Sequence, residues 1–279
     1  MITVHSPAKI NLLLKITGKR PDGYHEIDTI MQELELADTL SISESTDDQT
    51  SLTIEGLKVP GSIEDNLVFK AAKLFQENSP KNISNLKIKF HLKKNIPPGS
   101  GMGGGSSNAV AALVGLNHFF KKPFSREQLI SFAAQLGSDT VFFMHGGRCH
   151  CSGRGEIVNP LDNKENTIVT LFVPQISVST AQVFKNFSMP EKQIKETKFQ
   201  FNDLEPAAFK VAPELSEIKN ILREITGNDW QMTGSGSTFF NMLPDLNQFK
   251  NNYSKLKSKL NGQMIQTSFQ YKGCHVSNR

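Results

Sequence analysis

Residues 97–107 read Pro97-Pro98-Gly99-Ser100-Gly101-Met102-Gly103-Gly104-Gly105-Ser106-Ser107. The chain has 20 glycines in 279 residues, an ordinary share, yet five of them fall between Gly99 and Gly105. Before this stretch, residues 86–92 (LKIKFHL) alternate apolar and polar side chains, the pattern of a half-buried strand. After it, residues 108–120 offer few polar positions, which predicts a helix buried on most sides. Strand, glycine-rich loop and helix in that order make a phosphate cradle. Glycines let the backbone approach a ligand at positive φ, and successive N–H groups form an anion-binding hollow. The helix start adds unpaired donors and the positive end of its dipole. A flexible linker is the bland alternative, and an apolar helix directly after the loop argues against it.

The loop is not a Walker A loop, because no Lys-Ser or Lys-Thr follows the glycines. Gly99, Gly101 and Gly104 satisfy G-x-G-x-x-G, but Pro97-Pro98 intervenes after the strand and no acid appears between Gly104 and Glu127, against a dinucleotide-binding fold. The Val-Ala-Ile-Lys, His-Arg-Asp and Asp-Phe-Gly elements of a protein kinase are missing.

Outward from the loop, the chain alternates short strands and helices. Strands are expected at 10–16, 39–44, 52–55, 168–173, 237–243 and 264–271, and helices at 66–77, 125–136, 180–187, 217–225 and 245–260. The first fifty residues carry strands without intervening helices, which predicts antiparallel pairing. The class is therefore α+β, and the length suits two domains, with a soft boundary near 155–166.

Composition narrows the partners. Net charge is +4 with no basic arm, which gives no reason to expect a nucleic-acid partner. No apolar run approaches the roughly 18 residues of a membrane span, and the first fifteen residues lack the basic flank of a signal peptide. Three cysteines, Cys149, Cys151 and Cys274, suit a reducing compartment, so a cytoplasmic protein is expected. Cys149-His150-Cys151 has no second cluster to complete four ligands, so buried structural side chains are the better reading and no protein-held metal is expected. Lys255, Lys257 and Lys259 read as the solvated face of a helix.

Residues 98–109 (PGSGMGGGSSNA) resemble the second motif of the GHMP small-molecule kinases. Ser6-Pro7-Ala8-Lys9-Ile10-Asn11-Leu12 is similar to their first motif, and Thr233-Gly234-Ser235-Gly236-Ser237 to their third. Arg20-Pro21-Asp22-Gly23-Tyr24-His25-Glu26-Ile27 and Leu136-Gly137-Ser138-Asp139 are similar to the members that act on a cytidine diphospho sugar alcohol. The resemblance runs from Ser6 to about Leu243 in one order. It implies a two-domain GHMP-kinase-like α+β fold, 1–156 carrying the ATP loop and 157–279 the second domain, with the active site in the cleft between them. It also implies ATP with Mg2+, and phosphorylation of a 2-hydroxyl on the non-mevalonate route to isoprenoid precursors. A monomer or weak homodimer is expected.

The resemblance assigns catalysis to Lys9 and Asp139. A loose phosphoryl-transfer transition state asks little early deprotonation, so a positioned carboxylate can take the hydroxyl proton late. Without the resemblance, Asp139 reads as a helix cap and Lys9 as a surface charge. ATP contacts are expected from Pro97 through Ser107, with Asn66, Ser106 and Ser107 offering side chains; the serines could equally be caps or a magnesium ligand. Substrate contacts are expected from Asn11, Tyr24, His25, Thr180 and Phe184, with the pyrimidine between aromatic faces. Tyr24-His25 could instead be a plain turn, and Phe184 a core side chain. The members of the resembled family usually carry Asp-Val-Pro where this chain has Asp139-Thr140-Val141. Alternatives are a GHMP kinase for another small alcohol, such as homoserine or mevalonate, a non-catalytic nucleotide-binding module, and, remotely, a nicotinamide dehydrogenase.

Overall fold

A computed structural model describes residues 1–162, 166–189, 201–242 and 246–277. The chain opens on two long strands, β1 (Ile2–Lys19) and β2 (His25–Glu44), paired antiparallel along most of their length as expected. Both exceed the short runs read from the sequence. β3 (Ser51–Gly56), α1 (Leu67–Glu77), the single turn α2 (Lys81–Ser84) and β4 (Ile88–Lys94) follow, then α3 (Gly104–Phe119), α4 (Arg126–Leu136) and α5 (Thr140–His145). β5 (Arg148–Gly153) and β6 (Ile157–Pro160) form a hairpin beside β2. β7 (Ile168–Pro174), α6 (Thr180–Asn186), β8 (Phe201–Asn202), α7 (Glu205–Val211), α8 (Glu214–Thr226), β9 (Gln231–Met232) and β10 (Phe239–Asn241) come next. α9 (Leu246–Lys259), β11 (Gly262–Ser268) and β12 (His275–Val276) end the described chain. The expected strand end at Leu243 and helix start at Asp245 lie outside the described residues, as does 163–165 within the expected boundary.

The strands make two sheets. β12, β1, β2, β4 and β3 run side by side, with β5 and β6 extending from the other end of β2 and β8 lying parallel to β1. β11, β7, β10 and β9 form the second sheet. One core lies between the first sheet and α1, α3, α4 and α5, built on residues such as Phe75, Phe90, Leu113 and Phe142. A second gathers Trp230, Leu215, Leu222 and Phe239 with the β1 side chains Leu14 and Ile16. A third, smaller core joins the sheets: Ala8, Ile10, Leu12 and Leu34 from the first pack with Val169, Leu171 and Phe240 from the second, and Met102 sits among them. That junction fixes the two halves on either side of β1.

Three local outcomes differ from the sequence expectation. The helix after the loop begins at Gly104, four residues early, so Ser106 and Ser107 lie in its first turn and neither caps it. Its cap is Gly103 at φ +71, which has no side chain to offer. α3 is otherwise buried nearly all round, and Gly115 is required there: a Cβ would come within 2.4 Å of Ile42 and 2.7 Å of Val4. A short helix, α5, follows Asp139, which takes the N-cap position that its bland reading gave it. The Asp139 side chain makes no cap hydrogen bond to it, which leaves that carboxylate available for other work.

Candidate active site

β1 carries Lys9 and Asn11 in an irregular stretch. Its pairing with β2 slips between Pro7 and Lys9 and again between Asn11 and Leu13, and bulges of this kind re-aim side chains beside active sites. Lys9 is buried, and its Nζ donates to Asn11 Oδ1 at 2.6 Å and lies 3.6 Å from Asp139 Oδ2. Asn11 is held in turn: its Nδ2 donates to Thr29 Oγ1 at 2.9 Å, and its backbone N–H to Thr233 Oγ1 at 3.0 Å. The Lys9 charge is therefore compensated by one carboxylate and one amide oxygen, as a buried cation requires. Of the two bland readings, Lys9 is buried rather than a surface charge, and Asp139 takes the N-cap position of α5 without a side-chain cap hydrogen bond.

The Asp139 turn has its own lock. The Thr140 hydroxyl donates to the Ala133 carbonyl and lies 2.7 Å from the Gly137 carbonyl. This threonine stands in the Asp139-Thr140-Val141 departure, and its hydroxyl ties the turn to the end of α4.

The loop closes on both halves. Lys9 N–H donates to the Met102 carbonyl at 3.0 Å, and Thr238 N–H to the Ser100 carbonyl at 3.2 Å. Gly101, at φ +79, leaves no room for a side chain, since a Cβ would stand 2.4 Å from the Thr233 carbonyl oxygen. Gly103 would meet Phe143 at 2.9 Å and Lys9 Cγ at 3.2 Å. With Gly103 as cap, the first N–H groups of α3 have neither a preceding turn nor a side chain to bond, and they point along the positive end of the helix dipole.

The anchor beneath the loop is Asp38, which sequence reasoning missed. Its Oδ1 accepts from the backbone of Asn95 at 2.7 Å and Ile96 at 2.8 Å, just before the loop. Its Oδ2 accepts from Asn108 Nδ2 at 2.8 Å, just after it, and from Lys94 Nζ. Burial pulls the Lys94 ammonium below the ordinary lysine range, with Asp38 opposing. Only a partner 56 or 70 positions away defines this role, and no local pattern announces it.

A single cavity of about 1150 Å³ is lined by Lys9, Asn11 and Asp139, by Pro97 to Gly101, by Gly103 to Ser106, and by Gly234 and Ser235. At one end it is lined by Tyr24, His25, Thr180 and Phe184. His25 stacks on Phe184 with ring centroids 5.2 Å apart and meets Phe187 edge-on at 5.8 Å. Thr180 and Ser235 share a hydrogen bond of 2.7 Å across the cavity wall. Phe184 lines the cavity and also packs on the second core. Arg154, Lys19, Lys185 and Phe187 line the same end and went unread in the sequence.

Three expected ATP residues lie away from the lining. Met102 points into the core that joins the sheets, because the loop turns its backbone rather than this side chain to the cavity. Ser107 is buried, facing Ser6 at 2.8 Å. The Asn66 side chain accepts from Val68 N–H at 3.0 Å and so caps α1. Cys149 and Cys151 are buried in the first core, where burial pushes both thiols well up, while His150 faces Asp28 at 2.7 Å. Among the described residues, no group of three or more His, Cys, Asp or Glu side chains is placed to hold a metal ion, and no helix is long and apolar enough to cross a membrane.

Comparison with known proteins identifies the family. The GHMP kinases N terminal domain matches residues 66–147. A 4-diphosphocytidyl-2-C-methyl-D-erythritol kinase of Protochlamydia amoebophila is 39% identical over 247 residues, covering 86% of this chain and 83% of that protein. The Bacillus subtilis protein of the same name is 34% identical, covering 92% of each chain. A crystal structure of a 4-(cytidine 5'-diphospho)-2C-methyl-D-erythritol kinase superposes with TM-score 0.78 at 27% identity, over 97% of this chain and 100% of that one. A homoserine kinase from Cytophaga hutchinsonii, at TM-score 0.73 and 17% identity over 99% and 97% of the two chains, shares the fold. The chain belongs to the 4-diphosphocytidyl-2-C-methyl-D-erythritol kinase family of GHMP kinases, which are ATP-dependent small-molecule kinases.

Proposed function

We propose that the chain transfers the γ-phosphoryl group of ATP to the 2-hydroxyl of 4-diphosphocytidyl-2-C-methyl-D-erythritol. The observation that carries this is the Lys9–Asp139 pair, 3.6 Å apart on the wall of the cavity that the glycine loop also lines. A new bond forms between the hydroxyl oxygen and the γ-phosphorus as the bond to the ADP oxygen breaks. The hydroxyl proton passes to Asp139. Lys9 stabilises the charge gathering on the transferring oxygens. Backbone N–H groups of the loop and of the first turn of α3 take the remaining phosphate charge.

Bound together with the phosphates, Mg2+ would neutralise their charge and would need few protein ligands. The Ser106 hydroxyl and the Asp139 carboxylate, both on the cavity wall, are the oxygen donors that fit it. At the far end Tyr24, His25, Thr180 and Phe184 receive the cytidine. That end argues against homoserine or mevalonate, which have no aromatic ring to stack, and the Lys9–Asp139 pair argues against a non-catalytic module.

The test is a coupled assay of ADP formation with the cytidine diphospho substrate, homoserine and mevalonate offered separately. Turnover is expected with the first alone. Turnover with either of the others and none with the first would overturn the reading.

A further inference from the structure

Arg154 stands at the tip of the β5–β6 hairpin, in Gly153-Arg154-Gly155-Glu156. Its guanidinium lies over the Tyr24 ring, Cζ to centroid 4.9 Å. The tip folds back on Glu156: Arg154 N–H donates to Glu156 Oε2 at 2.5 Å, and Nε lies 3.7 Å from Glu156 Oε1. Glu156 thereby offsets the Arg154 charge and orients its planar head toward Tyr24. Gly155 adds a second seat, since a Cβ there would stand 3.3 Å from the Ser138 carbonyl, next to Asp139. Tyr24 needs such a hold. It is 53% exposed, and its backbone is fixed through Asp22 and Arg20. The ring itself lies against the guanidinium.

We propose that Arg154 is a positioning residue for substrate recognition: it holds the Tyr24 ring at the angle that receives an aromatic base and so sets affinity for the nucleoside end of the substrate. This rests on the cytidine assignment above. A direct contact with the substrate diphosphate is the competing role for any arginine in this cavity. The pairing with Glu156 and the stacking on Tyr24 favour the indirect one.

Calorimetric titration of the full chain and of Arg154→Ala with cytidine, with cytidine diphosphate and with a non-hydrolysable ATP analogue separates these roles. Cytidine and cytidine diphosphate are expected to weaken by the same factor, roughly three- to tenfold, with the ATP analogue unchanged. Arg154→Lys is expected to restore only part, because an ammonium lacks the planar face. In a Tyr24→Ala background, Arg154→Ala is expected to add nothing. Weakening of the diphosphate alone, equal weakening of all three ligands, or no change would each overturn the proposal. If the unaltered chain binds no cytidine, the cytidine assignment falls and this inference with it. If it binds cytidine and Arg154→Ala leaves that affinity intact, only the role of Arg154 falls.

Discussion

Lys9 Nζ lies 3.6 Å from Asp139 Oδ2, and each group is secured by a different element: Lys9 through Asn11 on β1, Asp139 through the Thr140 lock on the end of α4. Lys9 cannot drift without breaking its hydrogen bond to Asn11, and the backbone that carries Asp139 cannot shift without breaking those of Thr140. The pair is thus preorganised for charge that develops during transfer. Lys9→Ala and Asp139→Ala should each cut kcat by a factor of about 100 or more while ATP affinity, measured by titration, changes less than about threefold. Asp139→Asn keeps the shape and loses the acceptor, so it should fall nearly as far. Full activity in Asp139→Asn would remove the proton-acceptor role.

The Gly101–Thr233 contact makes a second expectation. An added methyl group would meet a backbone oxygen at 2.4 Å, in a conformation, φ +79, that side chains rarely adopt. Gly101→Ala should push the loop away from the Thr233–Gly236 turn and raise the KM for ATP at least about tenfold. Circular dichroism and melting temperature would show the fold retained. A KM for ATP equal to that of the unaltered chain would mean that the loop does not need this close approach.

Much of this site was legible in sequence because it is local. The glycine run with its flanking strand and helix announces a phosphate cradle within a dozen residues, whereas Lys9, Tyr24 and Asp139 are singled out by the resemblance of their segments to a family. What stayed hidden depends on distant partners. Asp38 reads as an ordinary strand-end acid until Asn95, Ile96 and Asn108 are seen converging on it. Arg154 reads as a turn residue until Tyr24 lies beneath it. Met102 and Ser107 misled for the opposite reason. Membership of the loop says nothing about which way a side chain points once a left-handed glycine redirects the chain. The length of β1 was underestimated because Ser6, Pro7 and Lys9 precede the apolar run at 10–16, and a lysine there reads as a strand boundary until it is seen buried.

Phe184 and His25 stack at 5.2 Å, with Phe187 edge-on to the histidine. A base entering here exchanges one aromatic neighbour for another. Phe184→Ala should raise the KM for the cytidine substrate about five- to 150-fold, as loss of one stacking face does, with the KM for ATP unchanged. His25 should also give this step a pH signature. Burial, then the neighbouring Lys19 charge, holds its imidazole below the ordinary value of 6.5, so the ring is neutral at pH 7 and above. Substrate KM should be flat there and rise only as the pH falls through that lowered value, while KM for ATP stays level. A rise beginning above pH 7 would contradict a neutral His25.

Glu33 gives the last prediction, one of stability. It is fully buried on β2, where Oε2 accepts from Gly147 N–H at 2.6 Å and Gly273 N–H at 3.0 Å, tying the turn after α5 to the segment before β12. Its Oε1 is buried without a hydrogen-bond partner. Burial raises the carboxyl above the ordinary glutamate value of 4.5, outweighing the backbone hydrogen bonds from Gly147, Gly273 and Lys272 and the nearby His275 charge, which favour the anion. A raised pKa means that the folded state holds this proton more tightly than the unfolded one. Its contribution to stability is therefore full below the ordinary value and is lost as the pH rises through the folded value. Glu33→Gln cannot ionise and keeps an oxygen for both amides. Its melting temperature should gain on that of the unaltered chain as the pH is raised from about 5 to about 8. Glu33→Ala leaves two buried N–H groups unpaired and should cost about 1–3 kcal/mol for each at any pH. Melting curves across that range decide the matter: a Glu33→Gln difference that shrinks with rising pH would mean that the carboxylate, not the acid, is the form the fold prefers.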